Sequence, residues 1–210
     1  MQTFEQLVRQ VGSWSVKNFG RQETPYLTVS HVGTIRADVA RNQLDEPGCD
    51  VTVPTVVALG SLAPLMGMVE ELGEFFDAHT DQDKADAIGD IAVYLCDYCY
   101  REGIPFPDVT LEGLLERVGE IEAARCLAIA IGRLVRYHLK RHQRIKGLHN
   151  RQVFIGVRAR VLVKIVSFLE CLSKRVTGDS LLVSLNATWN GVVQKRNWRA
   201  DPDAGGGHTH

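Results

Sequence analysis

The sequence predicts an all-α protein. Apolar residues recur at three- and four-residue steps through most of the chain, the spacing of one helical face. No stretch alternates apolar and polar residues as a half-buried strand would. Helix stop signals also fall where the periodicity ends, as at Gly103 followed by Pro105 and Pro107.

Residues 3–19 predict an amphipathic helix. Phe4, Leu7, Val8, Val11, Trp14 and Phe19 fall near one stripe, and Thr3 is a suitable N-cap. Residues 20–54 lack periodicity and contain three prolines, which predicts an irregular excursion with a short helix at 35–41. Helical spacing returns over 55–78 with Leu59, Leu62, Leu65, Met66, Val69, Leu72, Phe75 and Phe76. A polar turn, His79 to Asp83, precedes a helix from about Gln82 to Glu102. Thr110 is placed to cap a helix from Leu111 that continues or breaks near Gly119 and resumes to about Gln143. Further helices are expected over 153–176 and from Asp179 or Ser180 to about Trp198, before a Gly-rich tail, 200–210, expected to be disordered.

Leu127 to Leu139 echoes the apolar spacing of Leu65 to His79, and the helices that follow each segment pair in the same order. This predicts two related helical halves packed together: residues 1–108, carrying the acids, and a degenerate half, 109–199, without them.

The composition bounds the function. A hydrophobic content of 45% and a charged content of 23% are those of a globular protein. A net charge of −1 gives no general affinity for nucleic acid or membrane. The N-terminus is polar, without the pattern of a signal peptide, and no apolar run is long enough to span a bilayer. The five cysteines, Cys49, Cys96, Cys99, Cys126 and Cys171, are irregularly spaced; Cys96 and Cys99 sit in an apolar helical run, where packing thiols are expected rather than a redox or zinc pair. A reducing, cytoplasmic setting follows. There is no Walker-type phosphate loop and no nucleophile elbow.

The average charge hides an asymmetry. Residues 64–122 hold 15 acidic and 3 basic residues, whereas 123–178 hold 13 basic residues and one acid, Glu170. In the acidic part, Glu70, Glu71 and Glu74 share one helical face, and Asp86 and Asp90 share another at i, i+4. The short turn between them makes the helices antiparallel neighbours, so four or five carboxylates gather. Such a cluster needs a positive partner, and magnesium, or manganese in its place, prefers oxygen ligands. A solvated acidic face is the alternative. Against it stand the interleaved apolar residues, the scarcity of nearby cations other than Lys84, and Gly73 and Gly89, whose helical cost of about 1 kcal/mol each points to close helix approach.

Glu70-Glu71-x-x-Glu74 followed by Asp86-Ala-Ile-Gly-Asp90-Ile-x-x-Tyr94-Leu resembles the MazG-like all-α nucleotide pyrophosphohydrolases. Trp14-x-x-Lys17-Asn18-Phe19 resembles the W-x-x-x-N-F segment of phage-type members. Trp189 to Trp198 resembles their closing helix, and Leu139 to Gly147 part of a tandem copy.

The resemblance implies a helical bundle of the all-α NTP pyrophosphatase type. It implies hydrolysis of a (deoxy)nucleoside triphosphate to the monophosphate and pyrophosphate, with magnesium on Glu71, Glu74 and Asp90 and Glu70 as adjacent support or second-metal ligand. Tyr94 then matches a substrate-contacting position, and Trp14 and Asn18 the base pocket, with Lys17 beside them. The family's second motif is usually E-x-x-D, which would put glutamate at 87. This chain has Ala87, and Asp86 is the expected substitute.

Lys84 and the helical row Arg133, Arg136, Lys140 and Arg144 are candidate phosphate contacts, with a solvated basic face as the alternative for that row. His138, His142 and His149 carry no second ligand pair and are read as structural. The family implies a homodimer, and a tandem chain implies a monomeric pseudo-dimer. The competing functional readings are a weakened nucleotide- or metal-binding module and a helical oligomerisation protein.

Overall fold

The computed structural model describes residues 1–19, 61–108, 118–142, 145, 147–148 and 150–191. Among them are six helices and no strand: α1 (Phe4–Phe19), α2 (Leu62–Asp77), α3 (Asp81–Glu102), α4 (Glu120–His142), α5 (Arg151–Val176) and α6 (Leu181–Gly191). The predicted helix at 35–41, the Thr110 cap, Cys49, Arg144, Trp198 and the 200–210 tail lie outside the described residues. No helix of the described residues is long and apolar enough to cross a membrane.

The helix ends follow local chemistry. Thr3 opens α1 by a reciprocal exchange: the Gln6 N–H donates to Thr3 Oγ1 at 3.3 Å, and the Thr3 N–H donates to Gln6 Oε1 at 2.9 Å. Pro64 lies in the first turn of α2, where its missing N–H costs no helical bond. The expected turn at 79–83 is shorter than the composition implies. Thr80 caps α3 by accepting from the Asp83 N–H at 3.1 Å while Asp83 accepts from the Thr80 N–H, so the helix starts at Asp81. Gly103 ends α3 at φ +62, a left-handed conformation that glycine adopts without steric cost. Val118 and Gly119 are non-helical, and α4 begins after them. Asn150 Oδ1 caps α5 by accepting from the N–H groups of Gln152 and Val153 at 2.9 and 3.3 Å.

The helix α3 is central, packing against α1, α2, α5 and α6. The closest pairs are α2–α3 and α4–α5, and α2 also packs on α4. The predicted stripes form the core: Leu7, Val8 and Val11 from α1, Leu65, Met68, Leu72 and Phe75 from α2, and Ile88, Ile91, Ala92 and Leu95 from α3 are buried. Each fully buried Leu, Val or Ile contributes about 1.5–3 kcal/mol relative to an exposed one.

Cys96, Cys99 and Cys171 are buried with free thiols. Burial pushes the Cys96 thiol well above its ordinary value and the Cys99 thiol up to about 12. Both therefore stay protonated and pack as small apolar side chains.

Three polar clusters stand along the second half of α3. Asp97 takes Arg101 Nε at 2.9 Å and the Ser15 hydroxyl at 2.9 Å, and Arg101 also donates to Ser15 at 2.6 Å. Burial pushes the Asp97 carboxyl up, while Arg101 and Ser15 pull it down. Glu102 accepts from Arg158 of α5 and from the Ser61 hydroxyl. The Tyr98 hydroxyl meets His138 Nε2 at 2.7 Å, and the His138 ring lies edge-on to Phe154. These contacts tie α3 to α1, α4 and α5 by directional bonds.

Candidate functional site

The alignment of α2 against α3 is fixed by one close approach. A Cβ placed on Gly67 would lie 2.5 Å from the Tyr94 ring, so these two positions face each other. In an antiparallel pair, four residues forward on one helix matches four residues back on the other. Glu71 therefore stands level with Asp90 on the facing stripes, and Glu74 stands level with Ala87. The helix α1 crosses α3 with its own alignment: Gly12 faces Tyr100, and Ser15 bonds Asp97. The same stepping brings Asn18, near the end of α1, to the level of Tyr94.

Glu71 is buried, 7% exposed, among the core residues Met68, Leu72 and Phe75. Glu74 and Asp90 are half-buried and Glu70 is exposed. Ala87 is 2% exposed, so position 87 looks into the helix pair. Asp86 is exposed. It lines a cleft of about 350 Å³ between α3 and α6, together with Gln82, Asp90, Asp179, Ser184 and Thr188. Its Oδ1 accepts from the Gln82 amide at 3.0 Å. Asp90 borders both this cleft and, by helical stepping, the Glu71 stripe.

The glycines expected to allow close approach behave differently from each other. A Cβ on Gly89 would lie 1.9 Å from Thr188 Oγ1 of α6, a close approach as expected. Among the described residues, nothing lies within 4 Å of such an atom on Gly73.

Carboxylate oxygens on these stripes suit a hard divalent cation. Magnesium is commonly held by one or two carboxylates, with waters and substrate phosphates completing its shell, rather than by an all-protein cage. Glu71 and Asp90 meet that lower count. Among the described residues, no three Asp, Glu, His or Cys side chains form a group that could hold an ion by themselves.

The other sequence candidates are distributed around this centre. Trp14 packs edge-on against Trp189 of α6, with ring centroids 5.8 Å apart, and Trp189 Nε1 donates to Gln10 at 3.1 Å. The Asn18 amide donates to the Trp14 carbonyl at 2.9 Å, and Lys17 is exposed. Lys84 pairs with Glu120 at 2.8 Å and with Asp81 at 3.5 Å, which joins the start of α3 to the start of α4. Arg133, Arg136 and Lys140 line a separate pocket of about 180 Å³ with Tyr137 and Leu148.

Sequence reading missed the Ser15–Asp97–Arg101 and Ser61–Glu102–Arg158 clusters. The available signal was Asp97 with Arg101 at i, i+4 inside the apolar run that ends α3.

No protein-family model, curated protein or solved structure matches the chain.

Proposed function

We propose that this chain is a magnesium-dependent nucleotide pyrophosphohydrolase of MazG-like type, cleaving (deoxy)nucleoside triphosphates to monophosphate and pyrophosphate. The observation that carries the reading is the Gly67–Tyr94 approach, which sets the buried Glu71 level with Asp90 on facing helices. Glu71 and Asp90 would hold a magnesium ion, with waters and substrate phosphates completing its shell and Glu74 as a neighbouring carboxylate; the ion would neutralise phosphate charge and make a bound water more acidic. The half-buried Glu74 would be the carboxylate to accept a proton from an attacking water. Tyr94, one turn from Asp90, and the end of α1 border the place where a nucleoside would lie.

Asp86 is exposed in the cleft beside α6, so the ligand pair in this reading is Glu71 and Asp90, with Ala87 leaving one position without a carboxylate. Two antiparallel pairs, α2–α3 and α4–α5, support the pseudo-dimer form, in which one chain carries one acidic site. Each (d)NTP incubated with the protein and magnesium should release pyrophosphate and the monophosphate; turnover of none of them sinks the reading.

A second reading, nucleotide binding with little or no hydrolysis, is favoured by the same Ala87 gap. Calorimetric titration that shows magnesium-dependent nucleotide binding in the absence of turnover selects it.

A further inference from the structure

We infer that Arg133, Arg136, Tyr137 and Lys140 form a site for a small phosphate-type oxyanion, separate from the acidic stripe. The four residues sit at i, i+3, i+4 and i+7 of α4 and line one recess with Leu148. The recess is built by the chain beyond the helix as well as by the helix face. The Ile145 N–H donates to the Lys140 carbonyl at 2.9 Å, the Leu148 N–H donates to the Ile145 carbonyl at 3.3 Å, and Gly147 takes φ +68. This turn folds Leu148 back until it is only 4% exposed, giving the recess an apolar wall.

The charge in the recess is one-sided. Among the described residues, none of Arg133, Arg136 and Lys140 pairs with a carboxylate. Five other cations do: Arg9 with Glu5, Lys84 with Glu120, Arg101 with Asp97, Arg125 with Glu122 and Arg158 with Glu102, whereas several exposed ones do not. Like charges three and four residues apart weaken a helix. A bound anion reverses that repulsion. Guanidinium groups match phosphate oxygens in a two-pronged fork, and Lys140 adds a point charge. The Tyr137 hydroxyl offers a further donor beside them.

Size sets the class of ligand. About 180 Å³ is below the 300–1,000 Å³ typical of pockets that enclose drug-sized molecules. Phosphate, pyrophosphate or the phosphate tail of a nucleotide fits, whereas a buried base and sugar do not. The lining shares no residue with the Asp86–Asp90 cleft, so the site does not depend on the proposed hydrolytic centre.

The test is calorimetric titration of the full-length protein with phosphate, pyrophosphate and a nucleoside triphosphate, all without magnesium. The wild type and Glu71→Gln should bind at least one of them alike. Arg133→Ala/Arg136→Ala should bind it about tenfold more weakly or worse, with a circular dichroism melt no lower than the wild type's because both side chains are exposed. Arg133→Lys/Arg136→Lys should recover part of the affinity. Binding of the free anions assigns the site to phosphate or pyrophosphate, and binding of the nucleotide alone assigns it to a nucleotide tail. No binding of any of the three, or binding that survives the double alanine substitution, overturns the inference. Binding abolished by Glu71→Gln overturns its separateness.

Discussion

The Tyr94 ring fills the space that a side chain at Gly67 would need, and this contact sets α2 against α3. The alignment of Glu71 with Asp90 depends on it. Gly67→Ala should therefore cost about 1–3 kcal/mol in urea denaturation, because the ring is held between packed helices and cannot retreat freely. Gly12→Ala, whose Cβ would lie 1.9 Å from Tyr100 Cγ, should behave alike. Gly73→Ala should instead stabilise by up to about 1 kcal/mol, since none of the described residues lies within 4 Å of the added atom and alanine is the better helix former. Equal effects at Gly67 and Gly73 would contradict the packing described.

Asp97 and Arg101 form a buried pair with Ser15. Arg101→Ala leaves the carboxylate buried without its cation, and the expected loss is about 3–5 kcal/mol. Replacing both, Asp97→Leu with Arg101→Met, should recover most of that loss, because the pair's attraction and its desolvation largely offset each other. A double-mutant cycle measured by denaturation reads the difference.

His138 is fully buried, and that burial, opposed by Glu102 and aided by Arg158 and Arg141, pushes its pKa down from 6.5 to about 4. The folded imidazole stays neutral where the unfolded one takes a proton. Stability is then unaffected by this group above pH 6.5, falls as pH drops from 6.5 towards 4, and levels off below that. The loss over this interval should approach about 3 kcal/mol. His138→Gln should flatten this part of the stability–pH curve measured by denaturation; an unchanged slope would assign it to other groups.

The helices were legible in the sequence because their buried residues repeat with the helical period, as Leu65, Met68, Leu72 and Phe75 do. The start of α3 was legible only in part. Thr80 looks like a turn residue by composition, and its role as a cap depends on the Asp83 side chain turning back to it. Gly73 and Gly89 look equivalent in the chain, yet only Gly89 has a neighbouring helix against it, and that neighbour, Thr188, lies 99 residues away. The bond from Ser15 to Asp97 was invisible for the same reason, since the two lie 82 residues apart. The acidic residues were legible as helical stripes, but the direction of Asp86 was not. One residue of helix turns a side chain by about 100°, which separates the cleft facing α6 from the side facing α2.

Ala87 stands level with Glu74, where a further carboxylate would join the Glu71 side of the pair. Ala87→Glu should lower the melting temperature without metal, because it buries an uncompensated charge. With magnesium and a nucleotide present, the same variant should show a larger upward shift than the wild type and faster turnover. A thermal shift unchanged by magnesium would separate position 87 from the metal.

Phosphorus NMR of a nucleoside triphosphate incubated with magnesium and either the wild type or Glu71→Gln reads the proposed cleavage. The wild type should yield monophosphate and pyrophosphate in equal amounts. The variant should remain folded and lose about a hundredfold or more of that rate. Release of inorganic phosphate instead of pyrophosphate, no product at all, or a rate unchanged by Glu71→Gln would contradict it.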